Sequence, residues 1–320
     1  MAGHWVYAGY CYWPLQEDIA ISVRRPVPRQ TTLAASATLS GVGAHMGRSA
    51  RVTLAPAGAD AGVVFSIDGE DIPAGWRSID TAHLRMRLVG RKATLSTIEH
   101  LMAAFAGAGV DNALVLVEGQ EIPAMDGSSR AFVEAIDDVG IVELAAPRRA
   151  LRVCAPVRVE DGAGWAELTP ADRGLHLDVE IAFPAPIGAQ RLSRRFSSDM
   201  FRKELAAART FGFLQDAERL WSRGLALGAS LENTVVVGAG VVLNPHGLRY
   251  PDEFVRHKML DVIGDLALAG APIIGDFRAY RSGHGLNLKL LSAAFAAGAL
   301  RLETADFSWA DRTDRPGISP

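Results

Sequence analysis

The chain has 320 residues, of which 49% are apolar, and a formal charge of −3 at pH 7. These values are typical of a folded protein with a substantial core, and they exclude a chain that is disordered throughout. The charges form no basic excess that would attract phosphate backbones, so we expect no nucleic-acid partner.

Cysteine and hydropathy patterns restrict the class further. The sequence holds 2 cysteines, Cys11 and Cys154, far apart in the chain. This excludes a disulfide framework and a thiolate zinc cluster, and it agrees with a reducing cytoplasm. No stretch approaches the ~18 consecutive apolar residues of a membrane-spanning helix.

Regular patterns begin at Thr31, after an N-terminal extension (1–30) to which the sequence assigns no role. Short strands are predicted at TLSGVGAH, ARVTLAPA and AGVVFSI. A helix follows at STIEHLMAAFAGAG, from Ser96 as N-cap to Gly107. The strand NALVLVEG, the turn PAMDGSS and the helix RAFVEAIDDVG complete a first domain, 31–146.

The segment AAPRRALRV has the composition of a linker, which places a domain boundary near Pro147. The second domain, 147–305, contains the predicted strands LRVCAPVRVE, GWAELTP and LHLDVEIAF and a helix at 199–208. The helix EFVRHKMLDVIGDL, the strand PIIGDFRAY, the turn SGHGLN and the helix LKLLSAAFAAG follow, before a tail at 306–320. The similar order of elements hints at a duplication, and mixed strands and helices favour an α+β class.

The helix EFVRHKMLDVIGDL carries His257, Asp261 and Asp265 at intervals of four residues, so the three lie on one face. A histidine and a carboxylate at this spacing can bind one cation. Zn²⁺ is the natural choice for these ligands, and Fe²⁺ or Co²⁺ would also suit them. An ordinary His–Asp pair on a helix surface has the same spacing, so spacing alone does not decide between the two.

The segment STIEHL offers another histidine, His100, beside Glu99. In one interpretation Ser96 and Glu99 form a capping box and His100 is a packing residue. In the other, His100 is the third metal ligand and Glu99 is the base that deprotonates a water at the open position. Both interpretations stay open on this evidence.

Further candidates lie in the second domain. His284 occupies the glycine-flanked turn SGHGLN, where it can face a cleft or be solvated. Thr210 lies in ARTFGF, which otherwise predicts the start of a strand, and Lys258 is by default a surface lysine. Taken together, the candidates describe a one-metal hydrolase with a carboxylate base and a separate histidine as acid or oxyanion stabiliser.

Several segments, in order, are similar to the zinc-dependent UDP-3-O-acyl-N-acetylglucosamine deacetylase family of lipid A biosynthesis: STIEHLMAAFAGAGVDNALV, EIPAMDGSS, ARTFGF, SRGLALGAS, EFVRHKMLDVIGDL and SGHGLNLKLL. The resemblance runs from about Thr31 to Ala297. It implies two similar α+β domains, each a β-sheet layered with two α-helices in a two-layer sandwich, with the active site at their interface. It also implies one catalytic Zn²⁺ and removal of an acetyl group from the glucosamine nitrogen.

The resemblance also implies roles for individual residues. His100, His257 and Asp261 match the zinc ligands, and Glu99 matches the general base.

The remaining matched positions concern proton donation and substrate. His284 matches the histidine that protonates the leaving amine, and Asp265 matches its carboxylate partner. Thr210 and Lys258 match groups that stabilise the oxyanion and hold substrate. Phe211, also matched to substrate binding, begins a segment at about 211–237 that corresponds to the family's acyl-chain passage.

Some features depart from the family's usual pattern. The extension 1–30 has no counterpart, and DTAHLRMRL (80–88) has an extra residue and arginines at the rim of the acyl passage. AFPAPIGAQ (182–190) lacks the His-Pro that often precedes the Ile-Gly-x-Gln portion. These departures concern substrate binding and leave the expected metal ligands untouched.

The sequence therefore predicts a cytoplasmic monomer that acts on a UDP-linked acylated glucosamine and touches the inner membrane only transiently, without stable insertion. One alternative is a zinc deacetylase of the same fold acting on another acylated amino sugar. Another is a catalytically silent metal-binding regulatory protein. Glu99 and His284 argue against silence, because a structural zinc site has a closed ligand shell and needs no base.

Overall fold

The structure is a computed structural model that describes residues 27–80 and 86–305. The predicted tail at 306–320, most of the extension and residues 81–85 of the unusual segment 80–88 lie outside these ranges. The predicted extension runs to residue 30, but strand β1 (Arg29–Leu33) already begins at Arg29.

The first half of the described chain, residues 29–147, alternates strands with helices. After β1 come β2 (Ala37–Val42), β3 (Ser49–Pro56), β4 (Val63–Ile67), β5 (Glu70–Pro73), a 3-10 turn (Trp76–Ser78), β6 (Ile79–Asp80), β7 (Arg87–Val89), β8 (Thr94–Ser96), helix α1 (Glu99–Ala108), β9 (Ala113–Glu118), helix α2 (Arg130–Val139) and β10 (Ile141–Pro147).

The second half, residues 149–304, has a comparable order. It contains β11 (Arg149–Val153), β12 (Val157–Asp161), β13 (Gly164–Thr169), β14 (Leu175–Ala182), β15 (Ala189–Arg195), α3 (Ser198–Met200) continued by a π-helical turn (Phe201–Leu205), β16 (Phe211–Phe213), a 3-10 turn (Leu214–Asp216), α4 (Ala217–Trp221), β17 (Val235–Gly238), β18 (Val241–Val242), α5 (Glu253–Ala267), β19 (Ile273–Tyr280), α6 (His284–Ala296) and β20 (Leu300–Thr304).

The main sheets of the two halves have the same topology. Their strand orders are β2-β3-β9-β4-β5 and β12-β13-β19-β14-β15. The central strand of each sheet, β9 or β19, pairs parallel with β4 or β14 and antiparallel with β3 or β13. One helix precedes this strand and another follows it, α1 and α2 in the first half and α5 and α6 in the second. The predicted α+β class with two similar units is confirmed.

A strand pair accompanies the main strands of each half; it is a separate sheet in the first half, whereas in the second half β11 pairs parallel with β19 and joins the main sheet. β1 pairs antiparallel with β10, and β11 pairs antiparallel with β20. The predicted linker AAPRRALRV is therefore wrong, because β10 and β11 occupy it except for Arg148. The predicted strand LRVCAPVRVE is also divided into β11 and β12, since Pro156 lacks the N–H that a continuous ladder needs. The boundary near Pro147 stays a prediction, although each sheet of the described residues uses strands from one side of it.

Helices α1 and α5 pack against each other and connect the halves. Along α1, Leu101, Ala104 and Phe105 are all buried, so this is a core helix without a solvent-facing stripe. At the crossing lies Gly264, where an added Cβ would stand 2.2 Å from the carbonyl oxygen of Glu99. Glycine in the middle of α5 is thus explained by the close approach of two backbones.

The structure corrects two helix ends that bear on the site. Ser96 ends β8, and its N–H donates to the carbonyl oxygen of Gln120 at 3.0 Å, so α1 begins at Glu99 and the capping-box interpretation is wrong. At its other end α1 runs past Gly107 to a cap at Gly109, whose φ is +80°. His284 is the first residue of α6 and does not lie in a turn, because Gly283 takes the N-cap position.

The other predicted helices agree more closely with the structure. α2 and α5 match their predicted segments, whereas the helix predicted at 199–208 already ends at Leu205. None of the helices within the described ranges has the length and apolar character required to cross a membrane.

Strands β16, β17 and β18 form a small sheet of their own within the predicted acyl-passage segment. The stretch around this sheet exposes large apolar side chains, including Leu214, Trp221 and Leu227, each more than half exposed. Such a patch is common at ligand and lipid contacts. The role of this segment as an acyl passage stays a prediction.

Candidate active site

A buried cluster of three side chains joins the two halves of the chain. His100 comes from α1, and His257 and Asp261 come from adjacent turns of α5; one ligand atom from each lies within 4.8 Å of the others. Nε2 of His100 and Nε2 of His257 lie 3.6 and 3.4 Å from Oδ1 of Asp261. Because His257 and Asp261 are buried, they are not an ordinary His–Asp pair on a helix surface. The three side chains are close enough together to hold one metal ion.

Hydrogen bonds outside the cluster orient its members. Nδ1 of His257 lies 3.1 Å from the carbonyl oxygen of Ala208, which only accepts, so this nitrogen carries the proton and Nε2 faces the cluster. Burial disfavours the charged imidazole and lowers the pKa of His257 to about 4. Ser129, at the N-cap of α2, donates to the carbonyl oxygen of His100 at 2.7 Å and anchors the first turn of α1.

Asp261 is held as a carboxylate. Its Oδ2 accepts from Nζ of Lys258 at 2.6 Å. Although burial opposes the charge, His257 and Lys258 hold the pKa of Asp261 well below its usual range. Within the described part of the chain, Oδ1 of Asp261 has no hydrogen-bond partner. A charged, buried oxygen without a donor is a position where a cation would be stabilised.

Lys258 is not the surface residue that its position suggests by default. Its side chain is 18% exposed, and burial works against its charge. The carboxylate of Asp261 outweighs this effect and raises the pKa of Lys258. The ammonium therefore stays charged beside the cluster.

Glu99 lies next to the cluster at the start of α1. Its side chain is 5% exposed, and Oε1 lies 3.7 Å from Nε2 of His284. Burial raises the pKa of Glu99, only partly opposed by the neighbouring histidines. Among the described residues its Oε2 has no hydrogen-bond partner. The carboxylate thus has increased proton affinity and an unused acceptor, which are properties of a general base.

His284 and Asp265 form a second polar pair at the start of α6. Nδ1 of His284 lies 2.9 and 3.1 Å from the two carboxylate oxygens of Asp265, which is fully buried. Burial disfavours the charged ring, but Asp265, Glu99 and Asp261 outweigh it and raise the pKa of His284 to about 9. At neutral pH the ring is an imidazolium with Nε2 directed toward Glu99.

The segment around Thr210 passes over His257. The carbonyl oxygen of Ala208, two residues before Thr210, accepts from Nδ1 of His257, and the ring centroids of Phe211 and His257 lie 6.2 Å apart in an edge-on orientation. Thr210 itself donates its N–H to the carbonyl oxygen of Gly127 at 2.7 Å, which ties the segment to the turn PAMDGSS. An added Cβ at Gly127 would stand 1.9 Å from the carbonyl oxygen of Asn233, so the close approach of these two backbone segments requires glycine.

Sequence reasoning missed two groups that hold the site in place. Arg209 and Glu253 form a buried ion pair, with Nε and Oε1 2.8 Å apart, that ties the start of α5 to the Thr210 segment. Glu121 is buried and accepts from the Thr97 hydroxyl at 3.0 Å, just ahead of α1. Thr97 has φ +62°, an unusual value for a β-branched residue, at the bend between β8 and α1. No local pattern pairs residues so distant in sequence.

A separate cavity of about 1010 Å³ lies beside the C-terminal parts of α1 and α5. Its lining includes Phe105, Leu266 and Phe295, and it contains none of the metal-cluster residues, Glu99 or His284. The polar cluster, and not this larger apolar space, has the arrangement needed for chemistry.

The chain is similar to known proteins over most of its length. The model of a family described as LpxC: UDP-3-O-acyl N-acetylglycosamine deacetylase matches residues 30–296. Proteins named UDP-3-O-acyl-N-acetylglucosamine deacetylase from Brucella ovis, Brucella abortus strain 2308 and Brucella melitensis biotype 2 are each 48% identical over 270 residues. These alignments cover 82% of this chain and 94% of each relative.

Proposed function

Because the chain belongs to the UDP-3-O-acyl N-acetylglycosamine deacetylase family, we propose that it hydrolyses the N-acetyl group of UDP-3-O-(3-hydroxyacyl)-N-acetylglucosamine in lipid A biosynthesis. The products are the free amine and acetate. The observation that carries this proposal is the buried cluster of His100, His257 and Asp261 with Glu99 at its side.

Zinc is the proposed occupant of the cluster. Zinc bonds of about 2.0–2.1 Å at a tetrahedral centre place ligand atoms about 3.3 Å apart. Oδ1 of Asp261 lies 3.4 and 3.6 Å from the two imidazole nitrogens, close to that separation. Two imidazoles and a carboxylate would supply three protein ligands, the number that catalytic zinc sites use when they keep a further position for water. When bound, the ion supplies Lewis acidity toward water and the amide carbonyl.

Glu99 is the proposed general base. Its Oε2, which has no hydrogen-bond partner among the described residues, can accept a proton from the attacking water. Burial raises the pKa of Glu99, which increases its affinity for that proton. Because no other described residue depends on that oxygen, its role is chemical and not structural.

His284 is the proposed general acid. An amine leaves an amide poorly unless its nitrogen is protonated, so a charged imidazole near the reacting group is required. Asp265 accepts from Nδ1 and keeps the ring charged, which leaves the proton on Nε2 for the leaving nitrogen. Nε2 of His284 lies 3.7 Å from Oε1 of Glu99, so the proposed acid and base are close enough together to act on one reacting group.

Lys258, Thr210 and Phe211 are proposed to hold the substrate. The charged Nζ of Lys258 lies beside Asp261 and can stabilise negative charge that develops on the amide oxygen. Thr210 and Phe211 lie on the segment that crosses His257, and the exposed apolar residues of about 211–237 follow it. We assign the acyl chain to this segment, and we expect a cytoplasmic monomer.

The test is acetate release from the UDP-linked acylated sugar by the purified full-length protein, with zinc content measured in parallel. Release should stop with a chelator and return when zinc is added. H100A should lose both activity and zinc, while the matched control H176A, at a histidine that bonds Ser193 and does not belong to the cluster, should keep both. A zinc-loaded protein that releases no acetate would contradict the proposal.

A further inference from the structure

Asn287 lies one turn after His284 on α6, so both side chains emerge on the same face of the helix. Its Nδ2 donates to Oδ2 of Asp265 at 2.7 Å, and the residue is 1% exposed. The carboxylate of Asp265 therefore receives donors from two residues of one helical turn. No sequence pattern singles out Asn287.

The hydrogen bond from Asn287 controls a soft torsion. An aspartate carboxylate rotates about χ2 in a broad well, so a single imidazole donor does not fix its plane. With Nδ2 of Asn287 bound to Oδ2, the plane is set, and both carboxylate oxygens face Nδ1 of His284 at 2.9 and 3.1 Å. The His284 ring is held in turn, with Nε2 toward Glu99.

A purely structural explanation for Asn287 is less satisfactory. Asp265 as a carboxylate only accepts, so the amide must present its Nδ2 to it, and Oδ1 points elsewhere. Among the described residues Oδ1 has no hydrogen-bond partner. Burying an amide with one end unpaired is unfavourable, and leucine would fill the same space without that penalty. The donor end is thus the part of the side chain that has a use.

We propose that Asn287 is a positioning residue for proton donation: by orienting the carboxylate of Asp265, it fixes the ring of His284 with its proton directed at the leaving nitrogen. This inference rests on the proposed function. The charged groups that act on His284 are Asp265 and Asp261 from α5 and Glu99 from α1. Asn287 acts on the nearest of them.

The test compares N287L and N287S with the wild type. Leucine removes the donor while keeping the volume, and serine leaves room for a water that can restore a donor to Asp265. We expect N287L to lower kcat by about 10–100-fold, as loss of a carboxylate or histidine orienter does elsewhere. KM should change little, the alkaline limb of the kcat profile should move to lower pH, and N287S should lie between the two.

Asn112 provides the matched control. It is also a 1% exposed asparagine with a donating amide, but its amide donates to Gln30 and the Thr31 carbonyl oxygen in the first half and not to Asp265. N112L should lower the melting temperature without moving the pH profile. If N287L does not fold, kcat and its pH profile are compared between N287S and the wild type instead.

Titration of His284 by NMR of ring-labelled protein separates this inference from the proposed function, because it requires no turnover. A lower titration midpoint in N287L supports the positioning role even if the substrate assignment fails. An N287 variant whose His284 titration and kcat profile match the wild type, or one that loses activity equally at every pH, would overturn it.

Discussion

Replacing Asp265 with asparagine removes the nearest negative charge from His284 and preserves the shape of the side chain. The carboxylate oxygens lie 2.9 and 3.1 Å from Nδ1, and Asp265 is fully buried. Burial favours the neutral ring, and Asp265 leads the group of charges that raises the pKa of His284 to about 9. In D265N the desolvation is less opposed, so the pKa should fall toward its ordinary value of 6.5.

The magnitude follows from the protonated fraction of the acid. With a pKa of about 9, about 99% of His284 is charged at pH 7, against about a quarter with a pKa of 6.5. Loss of the proton alone therefore reduces the rate about fourfold at pH 7 and about 80-fold at pH 8.5. A cation bound to the neighbouring ligands would lower the pKa of His284 in both proteins, so the expected result is the difference in this pKa between the wild type and D265N.

The assay is kcat/KM for acetate release from pH 6 to 10, for the wild type, D265N and the control D137N. Asp137 is exposed and pairs with Arg202 on the surface, so D137N should follow the wild-type profile. The alkaline limb of D265N should lie at lower pH than that of the wild type. Coincident alkaline limbs in D265N and wild type would refute the assignment of His284 as an acid whose proton is retained by Asp265.

Other substitutions test separate parts of the site. E99Q should lower turnover by about 10²–10⁴-fold, and normal turnover would exclude the base. The melting temperature should fall only slightly, because Oε2 has no partner among the described residues and Oε1 lies 3.7 Å from His284, beyond hydrogen-bond distance. G264A should reduce the free energy of unfolding by about 1–3 kcal/mol, since its Cβ would stand 2.2 Å from a backbone oxygen of α1. In the denaturant melts that measure this, G58A is the control, because a Cβ there meets nothing within 4 Å. E253Q should cost about 3–5 kcal/mol in the same melts by leaving the Arg209 charge unpaired, and unchanged stability would contradict this.

The features predictable from sequence are those that depend on local periodicity. Helix α5 matched its predicted segment, and the four-residue spacing of His257, Asp261 and Asp265 was enough to place them on one face. Whether that face met solvent or another helix could not be read from the spacing. Joining His100 to it required either the family resemblance or the structure, because no local rule connects residues so far apart.

Local signals were misleading where tertiary pairing competes with them. Ser96 and Glu99 have the spacing of a capping box, but the Ser96 backbone bonds to Gln120, which draws it into β8. The sequence Pro147-Arg148-Arg149 resembles a linker, yet the strands on either side pair with β1 and β20. In each case the partner is distant in sequence, so the competing interaction could not be weighed from the segment alone.

The duplicated plan explains why the chemistry lies where α1 meets α5. The two helices hold equivalent positions ahead of the central strands β9 and β19, so joining the halves brings them together. Each carries ionisable side chains that would be costly to bury in one half by itself. In the joined structure the charges compensate one another: Asp261 of α5 meets His100 of α1, and Glu99 of α1 meets His284. The contact between the halves therefore both stabilises these buried charges and assembles the candidate site, which neither half contains alone.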